Sequence, residues 1–202
     1  MKKNNILILS AGRRVELVQD FQAEAAKFSD GTKILCTDLN PKMSSACQAA
    51  DGAFAVPRIS APDYIDSIFE LAQAQNIGLI IPTIDTELLK LADARARFAV
   101  AGIQIVVADS ALIRQCRDKR DTIALFTRHG IASPEIYAPD NITFPCFAKP
   151  YDGSRGIGAQ ALNNPEALTD ELKHDPKMMF CQLIDIQHTF IEFTVDMYYS
   201  HE

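Results

Sequence analysis

The sequence has no surplus of positive charge. Its 20 lysines and arginines stand against 26 aspartates and glutamates, for a formal net charge of -6. A nucleic-acid binder normally needs a basic face, so this balance argues against that class. Cysteine is sparse and unpatterned: Cys36, Cys47, Cys116, Cys146 and Cys181 are odd in number and include no C-x-x-C pair. Three of them sit inside apolar runs, where a reduced thiol acts as a small hydrophobe, which points to a reducing, cytoplasmic compartment and away from a metal site. The histidines, His129, His174, His188 and His201, show no metal-ligand spacing, and neither H-E-x-x-H nor a Ser/His/Asp arrangement can be read. Hydrolase and metalloprotease chemistry is left without residues. Long apolar runs are missing too. The stretch at residues 6–9 breaks at Gly12-Arg13-Arg14, which is too short for a signal peptide or a membrane span.

What is present suffices for a substantial core: 202 residues, 48% hydrophobic and 23% charged, enough for one large or two small domains. To about residue 107, short apolar runs alternate with amphipathic stretches, the pattern of an α/β parallel sheet. Strands are expected at residues 6–9, 33–38, 54–56, 79–81 and 103–107. Helices are expected at 14–28, from Pro62 to Gln75 with the proline in the first turn, and at 87–99, with Gly102 ending the last. The character then changes. A short helix over 110–117 capped by Ser110 precedes a second over 122–129 that Gly130 terminates. From Phe144 the order is strand, glycine-rich loop, strand (159–162), helix (165–173), then two apolar or alternating strands at 178–184 and 190–199. The reading gives domains at 1–112 and 113–202, a Rossmann-like parallel sheet followed by α+β material.

Three places carry chemistry. Ser10-Ala11-Gly12 sits between the first strand and a helix, where a dinucleotide phosphate turn would lie, but G-x-G-x-x-G is absent. A plain βα turn is therefore expected, with Asp38 as a polar loop residue rather than a ribose ligand. Arg13 and Arg14 oppose the helix dipole there, which hints at a nearby anion. Asp85 and Glu87 follow a strand's carboxyl end, where open α/β sheets bind ligands, and Asp85 or Thr86 is expected to cap the next helix. The third place is Phe147-Ala148-Lys149-Pro150-Tyr151-Asp152-Gly153-Ser154-Arg155-Gly156-Ile157-Gly158. A lysine on an apolar strand supplies a point charge for phosphate, and glycines let backbone amides face the same anion. No G-K-[ST] follows, so this is not a Walker A loop.

These residues resemble the ATP-grasp superfamily, in particular the carbamoyl-phosphate synthase large subunit, across nearly the whole chain. Asp118-Lys119-Arg120 with Gly130-Ile131 and Pro134 is similar to the segment opening its nucleotide-binding part. Residues 144–158 resemble its phosphate-binding lysine strand and mobile glycine-rich loop. Gln182-Leu183-Ile184 resembles the hinge whose backbone reads adenine, although Gln182 stands where an acidic residue is common. Glu192-Phe193-Thr194-Val195-Asp196 is similar to its E-Y-T-V-D strand. The resemblance implies that Lys119 and Lys149 balance triphosphate charge, that Ser154, Gly156 and Gly158 cradle it, and that Glu192 holds the ribose. Arg155 is either a phosphate contact or solvent-exposed. The first domain would be the pre-ATP-grasp domain. The implied reaction is ATP-dependent joining of a carboxylate or bicarbonate to an amine through an acyl phosphate, in a protein free to form a homo-oligomer. Catalytic residues and Mg²⁺ ligands are expected beyond Glu202, which would leave this fragment inactive alone. Rival readings are a non-catalytic nucleotide-binding or regulatory module, and an NAD-dependent oxidoreductase, which the missing glycines and the lysine strand both oppose.

Overall fold

The structure is a computed structural model that describes residues 4–28, 31–154, 156–185 and 191–195. Its contacts divide the chain into two compact units, Met1–Arg114 and Gln115–Glu202.

The first unit is a five-stranded sheet in the order β3-β2-β1-β4-β5. The strands are β1 (Asn5–Ile8), β2 (Ile34–Asp38), β3 (Gly52–Ala55), β4 (Ile77–Ile81) and β5 (Gln104–Ile105). All its pairings are parallel. Parallel strands need crossovers and so are covered on both faces, which explains their continuous apolar runs. Side chains alternate across the sheet: Leu7 and Leu9 pack with Ile68, Leu91 and Phe98, while Ile8 packs with Val18, Ile34 and Cys36. The first face is covered by α3 (Tyr64–Ala74) and α4 (Asp85–Val100), the second by α1 (Val15–Phe28) and the short α2 (Ser45–Ala49). The Cys36 thiol is pushed up to about 12 by burial and then by Cys47 and Asp51 nearby, so it stays a protonated core group.

The expected α/β order of this half is present, with local corrections. The 3-10 turn Pro41–Met43 and α2 were not foreseen, being short and held by tertiary contacts such as the Ser44 hydroxyl bonded to the Gly12 carbonyl at 2.7 Å. Pro62 lies two residues before α3 rather than inside its first turn. Strand β5 is shorter than expected because only Gln104 and Ile105 find partners in β4. The helix α5 (Ser110–Arg117) is capped by the Asp109 carboxylate accepting from Leu112 N at 3.0 Å, not by Ser110. Neither Asp85 nor Thr86 caps α4. Glu87 instead reaches back from the first turn to accept from the amides of Thr83 (3.1 Å) and Ile84 (3.4 Å).

Glu87 is fully buried and has no cation in its hydrogen-bonded circle. Its Oε2 accepts from the Tyr64 hydroxyl at 2.6 Å and from the Ser10 hydroxyl at 3.1 Å. Burial, then the charge of Glu87, pushes the Tyr64 hydroxyl well above the ordinary tyrosine range, so it remains a donor. One carboxylate thus ties together β1, α3 and the start of α4 at the carboxyl edge of the sheet.

The second unit is a four-stranded antiparallel sheet in the order β6-β9-β7-β8. Its strands are β6 (Ile136–Tyr137), β7 (Cys146–Pro150), β8 (Gln160–Leu162) and β9 (Met178–Gln182). It also holds α6 (Lys119–Arg128) and α7 (Asp170–His174). Cys146, Ala148, Leu162 and Phe180 form its core. The expected strand over 190–199 is corrected in part. Residues 191–195 make no strand pairing, and Ile191, Phe193 and Val195 are exposed, so their alternation covers nothing among the described residues. Residues 190 and 196–199 lie outside the described residues.

Removing the buried carboxylate should be costly. Glu87→Ala leaves the Tyr64 and Ser10 hydroxyls and two amides without their acceptor, and is expected to lose about 2–4 kcal/mol of stability in urea unfolding. Glu87→Gln, which keeps one acceptor oxygen, should lose less.

Candidate functional site

The residues singled out by sequence converge most closely in the second unit. In β7, Cys146 and Ala148 face the core while Phe147 and Lys149 take the other face, which is how a lysine sits on an apolar strand without burying its charge. Lys149 Nζ lies 5.8 Å from the centre of the Phe147 ring and makes no hydrogen bond or ion pair among the described residues. Its neighbour in charge is Lys119, the first residue of α6. Both line a cavity of about 300 Å³ with Cys116, Thr122, Phe126 and Pro134.

Lys119 is more constrained than a phosphate ligand need be. Its ammonium donates to three carbonyls, those of Pro150, Tyr151 and Gly153, and its amide donates to the Tyr151 carbonyl at 3.0 Å. An ammonium has three protons, so all are used. Burial, and next the charge of Lys149, lowers its pKa below the ordinary lysine value. The same turn is gripped from other sides. The Arg120 guanidinium stacks 3.6 Å above the Tyr151 ring and pairs with Asp118, and Lys177 reaches Asp152 at 3.2 Å.

The glycine-rich loop hangs from this turn. Gly156 and Gly158 have φ of +70° and +73°, a region that favours glycine, and a Cβ on Gly158 would press on Pro150 Cγ at 3.2 Å. Within the loop, the amides of Gly153, Ile157 and Ala159 donate to the carbonyls of Pro150, Ser154 and Gly156. Those of Ser154, Gly156 and Gly158 find no acceptor among the described residues. Arg155 lies outside the described residues.

The other singled-out residues are less gathered. Gln182 ends β9, opposite Cys146, three residues from the Met179 that pairs with Lys149. Its amide donates to the Glu135 carbonyl at 2.8 Å, whereas the amides of Leu183 and Ile184 make no bond among the described residues. Glu192 is exposed, without a partner among the described residues. Sequence reasoning missed Thr122, Phe126 and the carbonyl clamp on Lys119. The spacing of Lys119, Ile123 and Phe126 along one face of α6 was the signal that could have found the cavity wall.

In the first unit the Ser10–Gly12 turn is closed. The amide of Ser10 donates to Thr37 Oγ1 (3.3 Å), that of Ala11 to the Thr37 carbonyl (3.0 Å) and that of Gly12 to Asp38 Oδ2 (3.3 Å). The three amides of the turn are taken by the chain itself, which adds to the missing glycines against the dinucleotide reading. Arg14 precedes α1 and donates to the Ser10 (3.4 Å) and Thr83 (2.9 Å) carbonyls, which explains its place there without an anion. Arg13 and Asp85 are exposed. Among the described residues there is no group of three His, Cys, Asp or Glu that could hold a metal ion, and no helix is long and apolar enough to cross a membrane.

A parallel sheet in Rossmann order followed by an antiparallel sheet carrying a lysine and a glycine loop is the fold that the resemblance to the ATP-grasp superfamily implies. Residues 6–106 match the family model described as PylC-like, N-terminal domain, and the chain belongs to that family. No curated protein matches the chain. Among solved structures, the chain is similar to the L-amino acid ligase from Bacillus licheniformis, with TM-score 0.67 and 14% identity over 92% of this chain and 45% of that one. It is also similar to the biotin carboxylase–β-γ-ATP complex from Campylobacter jejuni, with TM-score 0.65 and 18% identity over 90% and 45%. A third is the biotin carboxylase domain of the Hydrogenobacter thermophilus 2-oxoglutarate carboxylase with MgADP, ADP and bicarbonate, with TM-score 0.64 and 17% identity over 90% and 44%. At these identities the likeness shows the fold. The chain spans less than half the length of each of these structures.

The cap of α6 supplies a pH test. Asp118 accepts from Arg120 N at 2.8 Å, and its hydrogen bonds to the Arg120 side chain, followed by backbone amides, hold its carboxyl below the ordinary value of 3.8. A carboxyl lowered on folding stabilises the fold above the unfolded value, and that contribution disappears as pH falls through the folded one. The stability gap between wild type and Asp118→Asn, which keeps a capping oxygen without charge, should therefore close in urea titrations run from about pH 6 down to about pH 2.

Proposed function

We propose that the cavity shared by Lys119 and Lys149 receives the phosphates of ATP in a carboxylate–amine ligase resembling carbamoyl-phosphate synthase. The observation that carries this reading is two cations on one cavity of about 300 Å³, repelling each other, with Lys149 lacking any anionic partner among the described residues. Like charges held together cost energy that a polyanion would relieve. Lys149 is the direct phosphate ligand. Lys119, its protons committed to carbonyls, adds positive field and holds the turn from which the loop departs. The open amides of Ser154, Gly156 and Gly158 complete the phosphate cradle. Adenine is read by the backbone of Leu183 and Ile184 and by the carbonyl of Gln182, whose amide is already occupied; Glu192 accepts from the ribose hydroxyls. Residues 1–112 act as the pre-ATP-grasp domain and 113–202 as the first part of the nucleotide-binding domain.

In this reading ATP supplies a γ-phosphoryl group to a carboxylate or bicarbonate oxygen, ADP leaves, and an amine then displaces phosphate from the acyl carbon. What the chain's residues contribute is positioning and charge, the main catalytic resource in phosphoryl transfer. The described residues do not fit a Mg²⁺ site, so no step is assigned to that ion here, and its ligands are proposed to lie outside them. The protein is proposed to work in the cytoplasm, with a small carboxylate and an amine as partners.

Titration of ATP into wild type and Lys149→Ala tests the site. The substitution is expected to weaken binding by about tenfold or more, the scale of a lost charge-assisted contact, and unchanged affinity would count against the assignment. For the ligase reading, ADP release by the complete gene product should depend on added carboxylate and amine. ATP binding without such dependence would favour the non-catalytic module.

A further inference from the structure

Asp118, Lys119 and Arg120 together act on one residue, Tyr151. Its carbonyl accepts from the Lys119 amide at 3.0 Å and from the Lys119 ammonium at 3.3 Å. The Arg120 guanidinium lies 3.6 Å from the centre of its ring. Asp118 fixes that guanidinium in turn. Its carboxylate accepts from Arg120 Nε at 3.0 Å, from Nη2 at 2.6 Å and from the Arg120 amide at 2.8 Å. A planar group forked onto a carboxylate in this way is held with one face on the ring. From another side, the Tyr151 amide donates to the Lys177 carbonyl at 3.0 Å. The Tyr151 hydroxyl makes no bond among the described residues, so the guanidinium face is what ties the ring to α6.

The carbonyl clamp on Lys119 needs such a tie. Three carbonyl dipoles aimed at one point repel one another, and only the ammonium between them offsets this. The ammonium has itself lost water and stands against the charge of Lys149, the two causes that lower its pKa. A flexible side chain under both pressures has a ready alternative in solvent. The turn must therefore be held from outside, and the exposed Lys177–Asp152 pair is a weak fastener. Arg120 is the better one. It is absent from the wall of the cavity that Lys119 and Lys149 line, and its charge is already paired with Asp118, so it is not placed as a phosphate ligand. We propose that Arg120 is a positioning residue: stacked on Tyr151, it keeps Lys119 in its carbonyl clamp and so sets how strongly the cavity holds phosphate. The effect on phosphate rests on the proposed nucleotide site; the hold on Lys119 does not.

A brief pulse of acetic anhydride, read by mass spectrometry against the exposed Lys33, reports how often Lys119 leaves its clamp. In Arg120→Ala, an exposed position that spares the fold, Lys119 should acetylate about threefold faster or more than in wild type. Tyr151→Leu, which keeps bulk but has no π face, should do the same. Tyr151→Phe retains the face and should keep the wild-type rate. Combining Arg120→Ala with Tyr151→Leu should add nothing to either alone, since both remove one contact. An unchanged rate in both Arg120→Ala and Tyr151→Leu would overturn the inference, as would Tyr151→Phe behaving like Tyr151→Leu. ATP and adenosine are then titrated into the same proteins. ATP should bind about threefold or more weakly to Arg120→Ala and Tyr151→Leu, with adenosine unmoved and Tyr151→Phe at the wild-type affinity. Wild-type ATP affinity in a variant whose Lys119 labels faster would overturn the link to phosphate. No ATP binding by the wild type, with labelling as expected, supports the hold of Arg120 on Lys119 while removing the nucleotide reading.

Discussion

An ammonium that gives its three protons to three carbonyls of a single turn is the fixed point of the second unit. Lys119 could have been an ordinary surface cation at the start of α6; instead it is drawn inward onto Pro150, Tyr151 and Gly153. The consequence is geometric first. The clamp fixes the turn up to Gly153, from which the glycine-rich loop departs. The consequence is also electrostatic, because Lys119 is held where Lys149 opposes its charge. In the proposed reading, that standing positive charge leaves little to reorganise when a polyanion arrives.

The first unit solves the converse problem. Glu87 is a buried carboxylate, and burying one without a counter-ion is ordinarily expensive. Here two hydroxyls and two amides surround it, so the charge is spread over neutral donors and the edge of the sheet is stiffened where ligands bind in this fold. Asp38 plays a related part by occupying the Gly12 amide. The turn looks like a dinucleotide loop in topology, yet its donors are consumed by the chain itself. Topological position alone therefore carries no cofactor.

Much of the architecture was legible from local pattern. Continuous apolar runs between amphipathic stretches announced a two-sided parallel sheet, because crossovers must cover both faces. The helix boundaries came out within a few residues at α1, α4 and α5. Errors cluster where tertiary contacts choose between equal local options. Ser110 and Asp109 are both good caps, and only the packed position of α5 makes Asp109 the acceptor. Helix α2 is too short to stand on propensity and exists because Ser44 and Ala46 bond the Gly12 carbonyl. The alternation of Ile191, Phe193 and Val195 resembled a strand, but a strand needs a partner edge that sequence cannot promise.

The candidate site divides in the same way. Residue chemistry alone determined that Lys149 and the glycines after it belong together, since a cation on an apolar strand followed by φ-permissive residues has few other uses. Sequence also determined that Rossmann dinucleotide chemistry lacks its glycines. Only the folded chain decided that the Lys119 ammonium is held by three carbonyls and that the Gly12 amide is taken by Asp38. Those facts depend on distances between residues far apart in the chain. No local pattern encodes whether a donor has already been taken.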